Sequence, residues 1–217
     1  MAISADTRDR IIRAGQRRFA LHGFDKTTNK DIADEAGLTT GALYHYFESK
    51  QSLFVAVLVE EDARVLAGFE EGADGVDGAV AKLHAILDRA IELHHEDESL
   101  SKFVAVAPIE IDRHPEFVPL IAEAMPRGAR TVRQFFTEIV ADGQATGELD
   151  SDVPRSAIVN MLASVTQGLA QLGGLVNDPV AHQRAIDAFK RLLDGTLVHA
   201  TPAKGSGRRR RAPVHAR

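Results

Sequence analysis

The chain has no cysteine among its 217 residues. Disulfides and thiolate metal sites are therefore excluded, and a reducing compartment suits it. No stretch approaches the roughly 18 apolar residues of a membrane span. The start, Met1-Ala2-Ile3-Ser4-Ala5-Asp6, lacks the basic and then apolar run of a secretory signal. These absences predict a cytoplasmic protein without a membrane partner. No H-E-x-x-H, G-x-S-x-G, dinucleotide fingerprint or glycine-rich phosphate loop occurs. The expectation is that the protein is not an enzyme and needs no cofactor or metal. The run His94-His95-Glu96-Asp97-Glu98 is read as a solvated helix end. Adjacent histidines diverge by about 100° on a helix, and His94 and Glu98 converge only if the helix runs on.

Acid is in excess overall, with a net charge of −5, but unevenly placed. Residues 1–50 hold 8 Lys and Arg against 7 Asp and Glu, residues 51–200 hold 12 against 24, and residues 201–217 hold 6 against none. A uniformly acidic chain would argue against a nucleic-acid partner. Here the two ends are relatively positive. Arg8, Arg10, Arg13, Arg17 and Arg18 fall on the first predicted helix, some of them placed to approach phosphates. The tail 201–217 has no apolar periodicity and is expected to be a disordered basic segment. Non-specific phosphate attraction and a merely solubilising end are both open readings of it.

Tyrosine is scarce too: the chain has only two, Tyr44 and Tyr46. They end a run that reads as a helix-turn-helix. Ile32, Ala33 and Ala36 share one helical face. Thr28 caps that helix, with Asp31 at the capping-box position. Gly37 supplies the positive φ that ends it. Leu38 fills the gap before Thr39 caps a second, short helix. Ala42, Leu43 and Phe47 face inward on this second helix. Thr40, Gly41, Tyr44, His45 and Tyr46 are left to point outward or along a DNA groove. Lys50 follows the cap Ser49 at the next helix start, where a cation and free N–H groups suit a phosphate.

At these residues the sequence resembles the TetR family of bacterial transcriptional repressors. The likeness covers roughly residues 8–60. It runs through Ile11-Ile12-Arg13-Ala14, Phe19-Ala20-Leu21-His22-Gly23-Phe24, Thr27-Thr28, Ile32-Ala33, Ala36-Gly37-Leu38, Gly41 to Phe47 and Ser49 to Phe54. The resemblance implies DNA-contact roles for Thr28, Thr39, Thr40, Gly41, Tyr44, His45, Tyr46 and Lys50. One departure is Thr40, where many members carry Lys or Arg. A hydroxyl cannot make the bidentate guanine contact of Arg, so weaker base reading is expected there.

The rest of the chain to residue 200 reads as helices: 49–70, 79–95, 100–112, 116–141, 154–175 and 179–200. Pro126 should kink or interrupt the fourth of these. Gly173 and Gly174 are expected at a helix end or turn. The fold class is all-α, with a three-helix helix-turn-helix head at residues 1–50. A helical ligand-binding and dimerisation domain then spans 51–200. The last two helices carry apolar stripes (Ala157, Ile158, Met161, Leu162, Val165, Gly168, Leu169 and Leu172, then Ile186, Phe189, Leu192, Leu193 and Leu197). They fit either the monomer core or a four-helix dimer interface, and the resemblance implies the interface. It also implies a small-molecule inducer, entering the middle domain and releasing double-stranded operator DNA. His84, Phe103, Ile109, Phe117, Ile121, Phe135, Asn160 and Gln167 are the expected pocket residues, and their bias favours an apolar or amphipathic inducer. The function expected is a ligand-responsive homodimeric repressor. The alternatives are an activator of the same fold, and a helical enzyme or carrier with a vestigial head.

Overall fold

The computed structural model describes residues 5–125, 129–176 and 178–195, and every regular element among them is helical. α1 (Ala5–Lys26) is regular up to Gly23, where φ of 74° and ψ of 175° break it. Only glycine adopts that φ at little cost. A Cβ there would also lie 2.7 Å from Oε1 of Glu110. α2 (Asn29–Glu35) starts on the expected capping box between Thr28 and Asp31. α3 (Thr40–Tyr44) starts on the Thr39 hydroxyl, which accepts the Ala42 N–H at 3.1 Å. α4 (Lys50–Ala73) is capped by Ser49, reciprocally with Ser52.

Six further helices form the body: α5 (Ala79–Glu96), α6 (Glu98–Arg113), α7 (Phe117–Ala124), α8 (Val132–Thr146), α9 (Arg155–Gln171) and α10 (Pro179–Leu193). The helical pattern over 116–141 is interrupted as the proline suggested, giving α7 and α8; Pro126 itself lies outside the described residues. α5 stops at Glu96 because Asp97 turns the chain and caps α6, its carboxylate accepting the Leu100 N–H at 3.0 Å. That break separates His94 from Glu98, so they do not share one continuous helix. Gly173 and Gly174 do not form an open turn. They sit buried in a π-helical turn (Leu172–Val176), where a Cβ on Gly174 would stand 2.6 Å from the Ser101 carbonyl. The missing side chains let this turn press against α6. The expected helix beyond 195 and the basic tail lie outside the described residues.

Two apolar cores hold the chain. The second gathers the far end of α4 with α5, α8, α9 and α10 around Phe69, Ile86, Phe136, Leu162 and Ile186. The first contains the head's Ile11, Phe19, Phe24, Ile32 and Leu43, but also Phe54, Phe103 and Phe117. Phe117 lies 4.9 Å from Phe24 and 4.8 Å from Phe54, centroid to centroid. The expected division at residue 50 falls at the Ser49 cap, yet apolar packing runs across it.

Candidate functional site

The outer face of the head is built by burying its inner one. Ile32, Ala33 and Leu43 have no exposure at all, and Ala36 and Phe47 very little. This fixes how α3 is rotated. Gly41, Tyr44 and His45 are left exposed and Thr40 half-exposed. The Tyr44 hydroxyl accepts a hydrogen bond from the Asn29 amide at 3.1 Å. Its own proton stays available for an outside acceptor such as a phosphate oxygen. Asn29 escaped the sequence reading, since nothing local signals a contact with a residue fifteen positions away. Tyr46 is half-buried and packs on the head core instead of standing free.

The other expected contact residues carry structural duties. The Thr28 hydroxyl donates to Asp31 at 2.6 Å and accepts its N–H at 3.1 Å. Lys50 differs most from expectation. Its ammonium donates to the Phe24 and Thr27 carbonyls at 2.7 and 2.9 Å, and lies 4.1 Å from the Phe24 ring centroid. Carbonyls left over where α1 ends accept its hydrogen bonds. Burial then lowers its pKa from the usual lysine value, against the pull of Asp25 and Glu110.

Four of the five α1 arginines are likewise engaged within the protein. Arg8 pairs with Glu60 at 2.8 Å, and Arg17 and Arg18 share Glu35 at 2.5 Å each. Arg10 donates to the Ala36 carbonyl at the end of α2. Their first role is to brace α1, α2 and α4 against one another.

The body contains adjoining apolar cavities alongside α4. One of about 260 Å³ lies between α4, α6, α8 and α9, and includes Phe103 and Gln167. Another of about 600 Å³ reaches past Ile121 towards α7 and shares Leu58, Asp62, Val132, Thr166 and Gln167 with the first. A smaller one, about 90 Å³, adjoins at Val65, Phe69, Val104, Thr166 and Ala170. Three of the eight expected pocket residues, Phe103, Ile121 and Gln167, line these spaces. The other five are placed elsewhere. His84 faces Asp194 at 3.2 Å. Phe117 belongs to the head-spanning core, and Phe135 lies under the Arg130 guanidinium. Ile109 is exposed, and Asn160 accepts from Arg133 at the surface. Periodicity marks an inward face but not which inward residues border a void.

Sequence reading missed two acids beside the cavities, Glu61 and Asp62. Burial pushes the Glu61 carboxyl up to about 6, opposed by Arg64 and reinforced by Asp97 and Glu60. Burial also raises Asp62 above the ordinary aspartate value. Arg64 is held by Asp97 at 2.8 Å. At Asp97, desolvation is outweighed by hydrogen bonds from Ser99, the Leu100 N–H and Arg64, and its pKa falls to about 2.

On α9 and α10 the apolar stripes divide. Leu162, Ile186 and Phe189 are buried within the chain, whereas Met161 and Leu192 are about half-exposed. Ala157, Met161, Ser164 and Gly168 form one exposed face of α9.

Comparison with known proteins agrees with this geometry. Residues 11–57 match the family described as "Bacterial regulatory proteins, tetR family". The HTH-type transcriptional regulator UidR of Escherichia coli is 25% identical over 90% of this chain and 94% of its own. The HTH-type transcriptional regulator TtgR of Pseudomonas putida is 32% identical over 81% of this chain and 83% of its own. The transcriptional regulator FadR from Bacillus subtilis, solved in complex with stearoyl-CoA, shares the fold. It matches with a TM-score of 0.69 at 18% identity, over 88% of this chain and 99% of that one.

Proposed function

The chain belongs to the TetR family of bacterial transcriptional regulators, and from that footing we propose that it is a homodimeric repressor, released from palindromic operator DNA by a small molecule bound in the body. The observation that carries the reading is the exposed face of Thr40, Gly41, Tyr44 and His45 on a helix whose other side is fully buried. This face enters the major groove, with Tyr44 on a phosphate and Gly41 letting the backbone approach the bases. Thr28 and Thr39 cap the two helices, Lys50 ties the start of α4 to the turn between α1 and α2, and Tyr46 supports the helix from its edge.

One short helix reads few base pairs, so two heads set about 34–36 Å apart read a palindrome. The exposed Ala157, Met161, Ser164 and Gly168 face supports pairing through α9 and α10. The cavities along α4 support a releasing ligand, since α4 also joins the head to the body. A ligand that prefers the conformation unable to dock shifts the protein off DNA by that preference. The bound acyl thioester of the FadR structure is a precedent for ligand binding in this fold.

The test is selection of bound duplexes from a random pool by the full-length protein at about 150 mM salt. A recovered two-fold-symmetric sequence is the expected result. Recovery of no enriched sequence, or of a single unrepeated half-site, would overturn the palindromic reading.

A further inference from the structure

Most polar groups around the α4 cavities already have partners. The Gln167 amide points to the Val104 carbonyl at 3.4 Å, and the Thr166 hydroxyl donates to the Leu162 carbonyl at 2.9 Å. Thr131 caps α8. Arg133, at the rim, donates to Asn160 at 2.9 Å. Asp62 is different. It lines both larger cavities, and among the described residues its carboxylate makes no hydrogen bond or ion pair. Its neighbour Glu61 is 4% exposed and borders the smaller of the two. Oε2 of Glu61 is buried without a hydrogen bond, and the nearest cation, on Arg64, stands 3.6 Å away.

Asp62 is half-buried, and a carboxylate stripped of part of its water beside an apolar space is costly until something pairs with it. An anionic ligand adds repulsion to that cost. A neutral one removes more water from Asp62 and returns nothing. An organic cation meets the charge and has the rings of Phe69, Phe103 and Phe136 in the cavity lining as well. We propose that the α4 cavities take a lipophilic cation, an amine or quaternary ammonium ion on an apolar body, with its charge against Asp62. This rests on the reading of the cavities as the ligand site, and it narrows the class of ligand from apolar to apolar and cationic. The raised pKa of Asp62, caused by burial with no cation opposing it, agrees with a site left short of a positive partner, whereas Glu61 has Arg64 beside it. Binding of a cation would draw both carboxyls back towards their ionised forms.

The test uses three probes with one tail: decyltrimethylammonium, 1-decanol and decanoate. Each is titrated calorimetrically into the full-length protein at about pH 8, well above the value of about 6 for Glu61. The ammonium should bind at least about 10-fold tighter than the alcohol, and decanoate weakest, as expected for a desolvated charge pair. Asp62→Asn should remove most of the ammonium's advantage and leave decanol unchanged. The comparison of head groups needs no variant, so misfolding of Asp62→Asn would not blunt it. Equal binding of all three probes, or a preference for decanoate, would overturn the cationic ligand while leaving the cavity as a ligand site. Saturable binding of none would overturn both.

Discussion

A methyl group on Gly41 would find nothing in the protein nearer than the Thr39 hydroxyl, at 3.9 Å. The fold does not require glycine there, whereas the close approach to DNA proposed for this position would. Gly41→Ala should leave the melting temperature unchanged or raise it, because alanine favours a helix over glycine by about 0.5–1 kcal/mol. The same change should weaken operator binding by about tenfold or more, roughly one lost close contact. Fluorescence anisotropy with a labelled operator, beside a thermal melt, checks both. The outward set Thr40, Gly41, Tyr44 and His45 was legible because caps and an apolar stripe fix which side of a short helix is buried. The engagement of Lys50, Arg10 and Arg8 was not, since their partners lie 23 to 52 positions away. Pattern shows that a cation is present but not which carbonyl reaches it first.

Glu61 belongs to the same scale. Its folded pKa of about 6 exceeds the ordinary 4.5, so the native state binds the proton more tightly than the unfolded one. Stability is then greatest below the unfolded value. It falls as pH rises from about 4.5 through 6, by about 2 kcal/mol in all. Glu61→Gln should match the parent near pH 4 and melt higher near pH 8. Chemical denaturation at the two pH values measures the difference, and identical curves at both would contradict the burial argument.

Among the elements, the head helices and α4 follow their caps closely because Thr28, Thr39 and Ser49 each have a local partner three residues on. The body is harder to read for the converse reason. α6 does start on a local cap, the Asp97 carboxylate accepting the Leu100 N–H, but the turn after α9 is decided by Gly174 lying on Ser101, far away in sequence. The dual fate of α9 also needed the fold. Its stripe is neither all buried nor all open: Leu162 goes inward, while Met161 and Gly168 stay outside. Added atoms at Gly168 meet nothing within 4 Å in the subunit. If the proposed pairing runs through this face, Gly168→Arg should fold normally yet halve the molar mass seen by sedimentation. An unchanged mass with an unchanged melt would place the dimer contact off this face.

For the molecule as a whole, the aromatic cluster of Phe19, Phe24, Phe54, Phe103 and Phe117 is the joint between head and body. Both tyrosines lie in the head. Their fluorescence reports the head alone, whereas far-ultraviolet circular dichroism reports mainly the body helices. The two signals should melt together in one transition. Phe117→Ala, which empties a fully buried site, should cost about 3–5 kcal/mol and lower both midpoints equally. A head that melts first, with the body intact, would show the joint to be weak.

The same joint bears on recombination between relatives. A head cut at Ser49 and grafted onto another body would keep its caps and its outward face, but would expose Phe24 to whatever the host carries at the places of Phe54, Phe103 and Phe117. Changing which operator this regulator reads is therefore safer by replacing single outward residues on α3 than by exchanging the head, unless the ring contacts travel with it.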